Sequence, residues 1–159
     1  MLPISKASIR SRCAQVIVGC IALASAAAAA SPGLEYRFKA LDGVEFKWRD
    51  GKVEKLERQP FMVAAHFGNA IAIKTTNPNS LGLFEIDIVH NKPGKQTYRA
   101  AANIDQTREY CVVFKGIVLQ CYAVAPKIAA LYEQGGTIYG PFSKMEAEDL
   151  ARQINGTLR

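Results

Sequence analysis

From residue 34 to residue 57 apolar and polar side chains alternate with period two, a rhythm that fits half-buried β-strand and little else. Leu34-Glu35-Tyr36-Arg37-Phe38-Lys39-Ala40, Val44-Glu45-Phe46-Lys47-Trp48-Arg49 and Lys52-Val53-Glu54-Lys55-Leu56-Glu57 each carry it, and Asp42-Gly43 and Asp50-Gly51 separate them. Asp-Gly pairs supply the positive φ angles that tight hairpin turns require. The pattern predicts an antiparallel meander over 34–58, with a wet outer face that carries its Glu and Lys side chains.

Gln59-Pro60 ends the alternation. Two apolar runs follow, Phe61–Phe67 and Ala70–Lys74, joined at Gly68-Asn69 and rich enough in apolar residues to predict burial on both faces or a lining strand. Asn77-Pro78-Asn79-Ser80 reads as a loop and as the internal boundary of the chain. Beyond it, Leu81–Val89 predicts a strand with Phe84, Ile86 and Ile88 on one face and Glu85 and Asp87 on the other. Pro93-Gly94 precedes an expected helix, Lys95 to Ile104, with Tyr98, Ala101, Ala102 and Ile104 toward the core. Tyr110–Phe114 and Ile117–Cys121 form a hairpin with Lys115-Gly116 at its tip. Ala125-Pro126 ends that hairpin, Lys127–Tyr132 fits helix or loop, and Gly135-Gly136 leads into a short strand, Thr137–Gly140.

The last element carries its own start signal. In Ser143-Lys144-Met145-Glu146 a hydroxyl can satisfy an orphan amide while the carboxylate reaches back to the cap. Ala147, Leu150, Ala151 and Ile154 then fall on one helical stripe, and Asn155-Gly156 is a suitable stop. Glu146, Glu148 and Asp149 complement the positive end of the helix dipole there.

Residues 1–30 have the order of a cleavable export signal: Lys6, Arg10 and Arg12, then the apolar stretch Cys13–Ala24, then small residues up to Ala30. An uncleaved anchor would need about 20 apolar residues; here the stretch is short and ends in weakly hydrophobic alanines. Ile17-Val18-Gly19-Cys20 also resembles a lipobox, in which Cys20 would be lipidated. Cleavage leaves a single mature domain, 31–159, divided at the loop into a β meander (31–79) and a second unit (80–159), with no membrane-spanning segment. Three of the twenty basic residues leave with the signal, so the formal net charge of +6 falls to +3. The remaining charges of both signs are interspersed, which argues against nucleic acid as a partner.

Two of the four cysteines also leave, and Cys111 and Cys121 remain. In an oxidising compartment they can pair; otherwise they are two buried thiols. A strict two-residue Lys115-Gly116 turn pairs Tyr110 with Cys121 and puts the cysteines on opposite faces. A three-residue loop ending in a bulge pairs Cys111 with Cys121 directly, so the disulfide implies the bulged turn. His66 and His90 do not sit at zinc-ligand spacing. No nucleophile elbow, phosphate-cradling loop or calcium loop is present. No cofactor is implied, and no enzyme is expected, although folding can assemble a site from distant residues.

Glu109–Val118, then Thr137-Ile138-Tyr139-Gly140-Pro141-Phe142-Ser143-Lys144-Met145-Glu146-Ala147-Glu148-Asp149-Leu150-Ala151 and Asn155-Gly156-Thr157-Leu158, resemble the head subdomain of the large periplasmic domain of SecD, in the SecDF family. That family shows a strand-turn-strand with glycine at its tip, here Gly116. A glycine-aromatic-hydroxyl strand end and a capped helix follow. Gly140, Phe142, Ser143, Glu146, Ala147, Asp149, Leu150 and Ala151 match in order, and the likeness covers roughly 80–158. These positions are structural, so they carry over fold and not activity. The resemblance implies an α+β fold, antiparallel sheets with two helices packed on one face and a head-like C-terminal half. It further implies a periplasmic or secreted accessory or binding protein contacting exported polypeptides or envelope machinery. The alternatives are an enzyme with a dispersed site, whose first sign would be a cleft joining His66 or His90 to a carboxylate, and a small secreted interaction or inhibitor domain.

Overall fold

The structure, a computed structural model, describes residues 33–104, 107–124 and 129–158. The signal reading of 1–30, its lipobox alternative at Cys20 and the stop at Ala125-Pro126 lie outside the described residues. Among the described residues, seven strands make two sheets. One has the order β2-β1-β5-β6, from β1 (Leu34–Trp48), β2 (Val53–Leu56), β5 (Glu109–Phe114) and β6 (Ile117–Ala123). The other has the order β3-β4-β7, from β3 (Phe67–Lys74), β4 (Phe84–His90) and β7 (Gly135–Phe142). The helices described are α1 (Lys92–Ile104), the single turn α2 (Ala129–Tyr132) and α3 (Lys144–Asn155). This is the expected α+β class with antiparallel sheets, α1 and α3 adding their apolar faces to one core.

The meander is corrected. Asp42-Gly43 does not turn the chain; β1 runs through it as one bent strand. Leu56 of β2 pairs with both Lys39 and Val44, so residues 40–43 arch out as a bulge. Gly43 is there for close approach, since a Cβ would lie 2.3 Å from the Leu56 carbonyl oxygen. Asp50-Gly51 does close the hairpin, with Gly51 at φ 86°. The turn signal at 42–43 loses because the first half of β1 pairs along its length with β5, Leu34 to Phe114 through Phe38 to Tyr110. Its second half folds over to pair with β2 and, in parallel, with β6 at Lys47–Ile117 and Trp48–Val118. Strands of the 31–79 and 80–159 halves therefore share sheets, and β3 likewise joins β4 and β7.

Folding β1 back encloses a second core of Phe46, Leu56, Cys111, Val113 and Val118. The face expected to be wet is thereby buried: Glu35 is 0% exposed and Arg37 2%. Arg37 grips the Glu35 carboxylate through Nε at 2.7 Å and a second guanidinium nitrogen at 2.9 Å. Its third nitrogen donates to the carbonyls of Glu57 and Arg58, and the plane lies 4.9 Å from the Phe46 ring centroid. A bidentate pair with further hydrogen bonds to main-chain carbonyls is the arrangement in which burying two charges is tolerable.

The larger core lies between the sheets. Tyr36, Phe67, His90, Tyr98 and Tyr110 stack through it with neighbouring ring centroids 4.9–5.8 Å apart. Its other wall is the inner face of the second sheet, Ala70, Ile86, Ile88 and Ile138, against Ala147, Leu150, Ala151 and Ile154 of α3. Phe61–Phe67 is not a strand. Met62 makes one bridge to Tyr36, and Val63–His66 is a tight turn in which the His66 ring accepts the Val63 amide at 3.0 Å. Gly68-Asn69 is a bulge inside β3, not a joint, and β3 is buried on one face only, Ile71 being 44% exposed. α1 begins three residues earlier than expected because Asn91 caps it, accepting from the Gly94 amide at 3.0 Å. Ile104 at its far end is exposed, not core.

Candidate functional site

The sequence-predicted residues fall in two places. Cys111 and Cys121 are joined by a disulfide inside the small second core. The register that allows it is neither of the two expected. Lys115 and Gly116, at φ 51° and 78°, make a strict two-residue turn with both angles positive. Phe114 pairs with Ile117 and Val113 with Val118; then Leu119 bulges, so Val112 meets Gln120 and Cys111 meets Cys121. The bulge sits in the strand, not in the turn. Glu54 lies beside the two sulfurs, but both are spent on each other and offer no thiolate to a metal.

Gly140, Phe142, Ser143, Glu146, Ala147, Asp149, Leu150 and Ala151 run from β7 into α3. The Ser143 hydroxyl accepts the Glu146 amide at 3.3 Å, and the Glu146 carboxylate accepts the Ser143 amide at 2.8 Å. Those contacts hold the Glu146 carboxyl below its usual range. Ala147, Leu150 and Ala151 are buried; Asp149 is exposed and bonds Arg152 and Gln153 along its own helix. At the helix end Asn155 makes a contact that sequence reasoning missed. Its side-chain carbonyl accepts the Ala70 amide and its NH2 donates to the Ala70 carbonyl, each at 2.8 Å.

Among the described residues neither histidine is brought to a free carboxylate. The Nδ1 of His66 accepts the Val63 amide. Burial lowers the pKa of His90 to about 4. Its Nδ1 pairs with the main-chain carbonyl of Glu133 at 3.0 Å, and Nε2 stands 3.4 Å from the Tyr36 hydroxyl. Beside it is a 500 Å³ hollow, but the Glu133 carboxylate there is gripped by Arg99 at 2.7 and 2.9 Å.

Among the described residues, what the fold leaves most open is the outer face of the second sheet. Strand alternation turns Glu85, Asp87 and Val89 of β4 outward while Ile86, Ile88 and His90 point in. Opposite Asp87 and Glu85 on β3 stand Ile71 and Ile73; opposite Asp87 on β7 stands Thr137, with Tyr139 two residues on. Ile71, Val89 and Tyr139 are 44%, 39% and 51% exposed. These apolar side chains flank the two acids on one face, and exposed apolar surface gathered in one place marks a contact site. Asp87 accepts from the Thr137 hydroxyl at 2.7 Å and Glu85 from the Thr75 hydroxyl. Two hollows open along this face, one of 480 Å³ with Asp87, Leu131 and Thr137 in its wall and one of 180 Å³ with Glu85, Leu83 and Tyr139. The alternation of Glu85 and Asp87 against Phe84, Ile86 and Ile88 is visible in the sequence. That their face has no cover is not.

Among the described residues, a two-sheet α+β domain with a partly exposed, acid-bearing sheet face is thus defined. No protein-family model matches the chain, and no curated protein matches it. Solved structures that share its fold include two of SecDF. One is the crystal structure of SecDF in its super-membrane-facing form, 17% identical at TM-score 0.60 over 76% of this chain and 18% of that one. The other is described as a membrane component SecDF that enhances protein export, 14% identical at TM-score 0.55 over 79% of this chain and 61% of that one. The chain spans less than two thirds of either. The resemblance to a SecD periplasmic domain is borne out at the level of fold, and it reaches beyond residues 80–158, which are too few to supply that coverage. Among the described residues no helix is long and apolar enough to cross a membrane.

Proposed function

We propose that the chain is a periplasmic, non-enzymatic accessory domain that contacts exported polypeptides or envelope machinery through the outer face of the second sheet. The observation that carries this reading is the fold shared with SecDF, one structure of which is described as enhancing protein export. The open face supplies a surface for contact. The occupied rings of His66 and His90 favour binding over catalysis. The disulfide fits an oxidising compartment and the export signal read in 1–30.

The test is site-specific photocrosslinking from positions 71 and 139 in intact cells, with identification of the captured chains. Recovery of translocon components or unfolded export clients is expected from both positions and not from position 104, which is exposed but lies on α1. Capture of cytosolic proteins alone, or equal capture at all three, would overturn the reading. Mass spectrometry of the protein from cells should find the first thirty residues removed.

A further inference from the structure

We propose that the outer face of the second sheet takes an extended polypeptide segment laid over β4, with basic side chains at two alternate positions and an apolar side chain two residues away. The inference rests on the reading of this face as a polypeptide contact and adds its chemistry. Glu85 and Asp87 point the same way from the central strand, about 7 Å apart at 3.3–3.4 Å per residue. That is also the spacing of alternate side chains on an extended ligand. Each carboxylate accepts one hydroxyl hydrogen. Among the described residues neither forms an ion pair, although Lys39, Lys52, Arg99, Arg108, Lys144 and Arg152 all find acids elsewhere. Their neighbours across the strands are apolar on one side and Thr137 and Tyr139 on the other. A half-buried carboxylate pair between exposed apolar residues is complementary to a cation with an apolar flank. Val89 continues the same line along β4, two residues from Asp87 and 39% exposed, and seats the apolar residue.

Laying the ligand on the face is favoured over adding a strand at an edge, because each edge of this sheet is interrupted by a main-chain group already bonded to a side chain. On β3 Asn155 takes both main-chain groups of Ala70. On β7 the Tyr122 hydroxyl bonds the Thr137 carbonyl, and Pro141 has no amide to offer. A second copy meeting this face symmetrically would bring four carboxylates together, so it is the poorer occupant.

Fluorescence anisotropy on the purified full chain, with a labelled peptide of Leu, Lys, Lys and Leu at alternate positions separated by serine, tests the proposal. The isosteric double variant Glu85→Gln, Asp87→Asn should weaken binding at least tenfold, and each single change by about threefold. Replacing both peptide lysines by glutamate should abolish binding to the native chain and restore it to a Glu85→Lys, Asp87→Lys variant with native circular dichroism. Equal binding of the lysine and glutamate peptides, or native affinity in the isosteric variant, would overturn the proposal. So would a concentration-dependent dimer in sedimentation that Ile71→Ser disrupts. If crosslinking at 71 and 139 recovers export clients while the peptide shows no charge dependence, this chemistry fails and the function stands. Charge-dependent peptide binding without captured clients would mean the reverse.

Discussion

Two acidic sites on this small domain have opposite surroundings. Glu35 lies inside the fold of β1, wholly shielded, with a bidentate arginine whose third nitrogen donates to two main-chain carbonyls. Glu85 and Asp87 lie half-exposed on β4 with a hydroxyl each and, among the described residues, no ion pair. The first arrangement is complete without any other molecule. In the second, charge and apolar surface lie together on one sheet face. Burial therefore does not separate the structural acid from the two proposed to contact a ligand; among the described residues the ion pair does.

The contrast can be broken most sharply at Arg37. Arg37→Met strands a buried carboxylate and should cost about 3–5 kcal/mol, read as a lowered urea midpoint. Adding Glu35→Leu should recover most of that loss, whereas Glu85→Gln with Asp87→Asn should leave the midpoint within about 0.5 kcal/mol. A loss from the second pair comparable to the first would erase the distinction. His90 provides the next effect. Its pKa is lowered from 6.5 to about 4, chiefly by burial, with Lys95 and His66 adding repulsion and the Glu133 carbonyl opposing them. The folded value lies below the unfolded one, so its contribution is intact above pH 6.5 and falls as pH drops toward 4. The loss should approach about 3 kcal/mol, and His90→Gln should flatten that part of the stability profile. Replacing Cys111 and Cys121 together by alanine should cost about 3 kcal/mol in the chain-entropy account, without altering peptide binding at the β4 face. Asn155→Ala removes both hydrogen bonds to Ala70 and should cost about 1–2 kcal/mol. It should also speed amide exchange at Ala70 while leaving Ile86 protected.

How much of this was legible depended on whether the signal was local. The capping box and stripe of α3 needed only Ser143, Glu146 and four apolar residues at helical spacing, and the helix formed as read. The hairpin at Lys115-Gly116 was equally local, but the Leu119 bulge that aligns the cysteines answers to packing in the second core. Asp42-Gly43 misled because a turn dipeptide was weighed without the competing pairing of β1 to β5. Glu35 and Arg37 looked wet for the same reason: period two tells faces apart but not which face a later segment covers. Asn91 was a missed cap, signalled by an Asn just ahead of Lys-Pro-Gly. The candidate face was half visible, since Glu85 and Asp87 were placed together on one side of their strand. Its lack of cover, and the isoleucines beside it on β3, exist only once the chain has folded.

The bent strand β1 also governs when folding can finish. Residues 34–38 are central to their sheet, yet their partners at 110–114 lie more than seventy positions downstream. Closing so long a loop is slow, and until it closes the small core around the cystine has no wall. A chain fed out end-first could close the β1–β2 hairpin early, but the other edge of residues 34–38 would wait for β5, so the sheet locks only late in its passage.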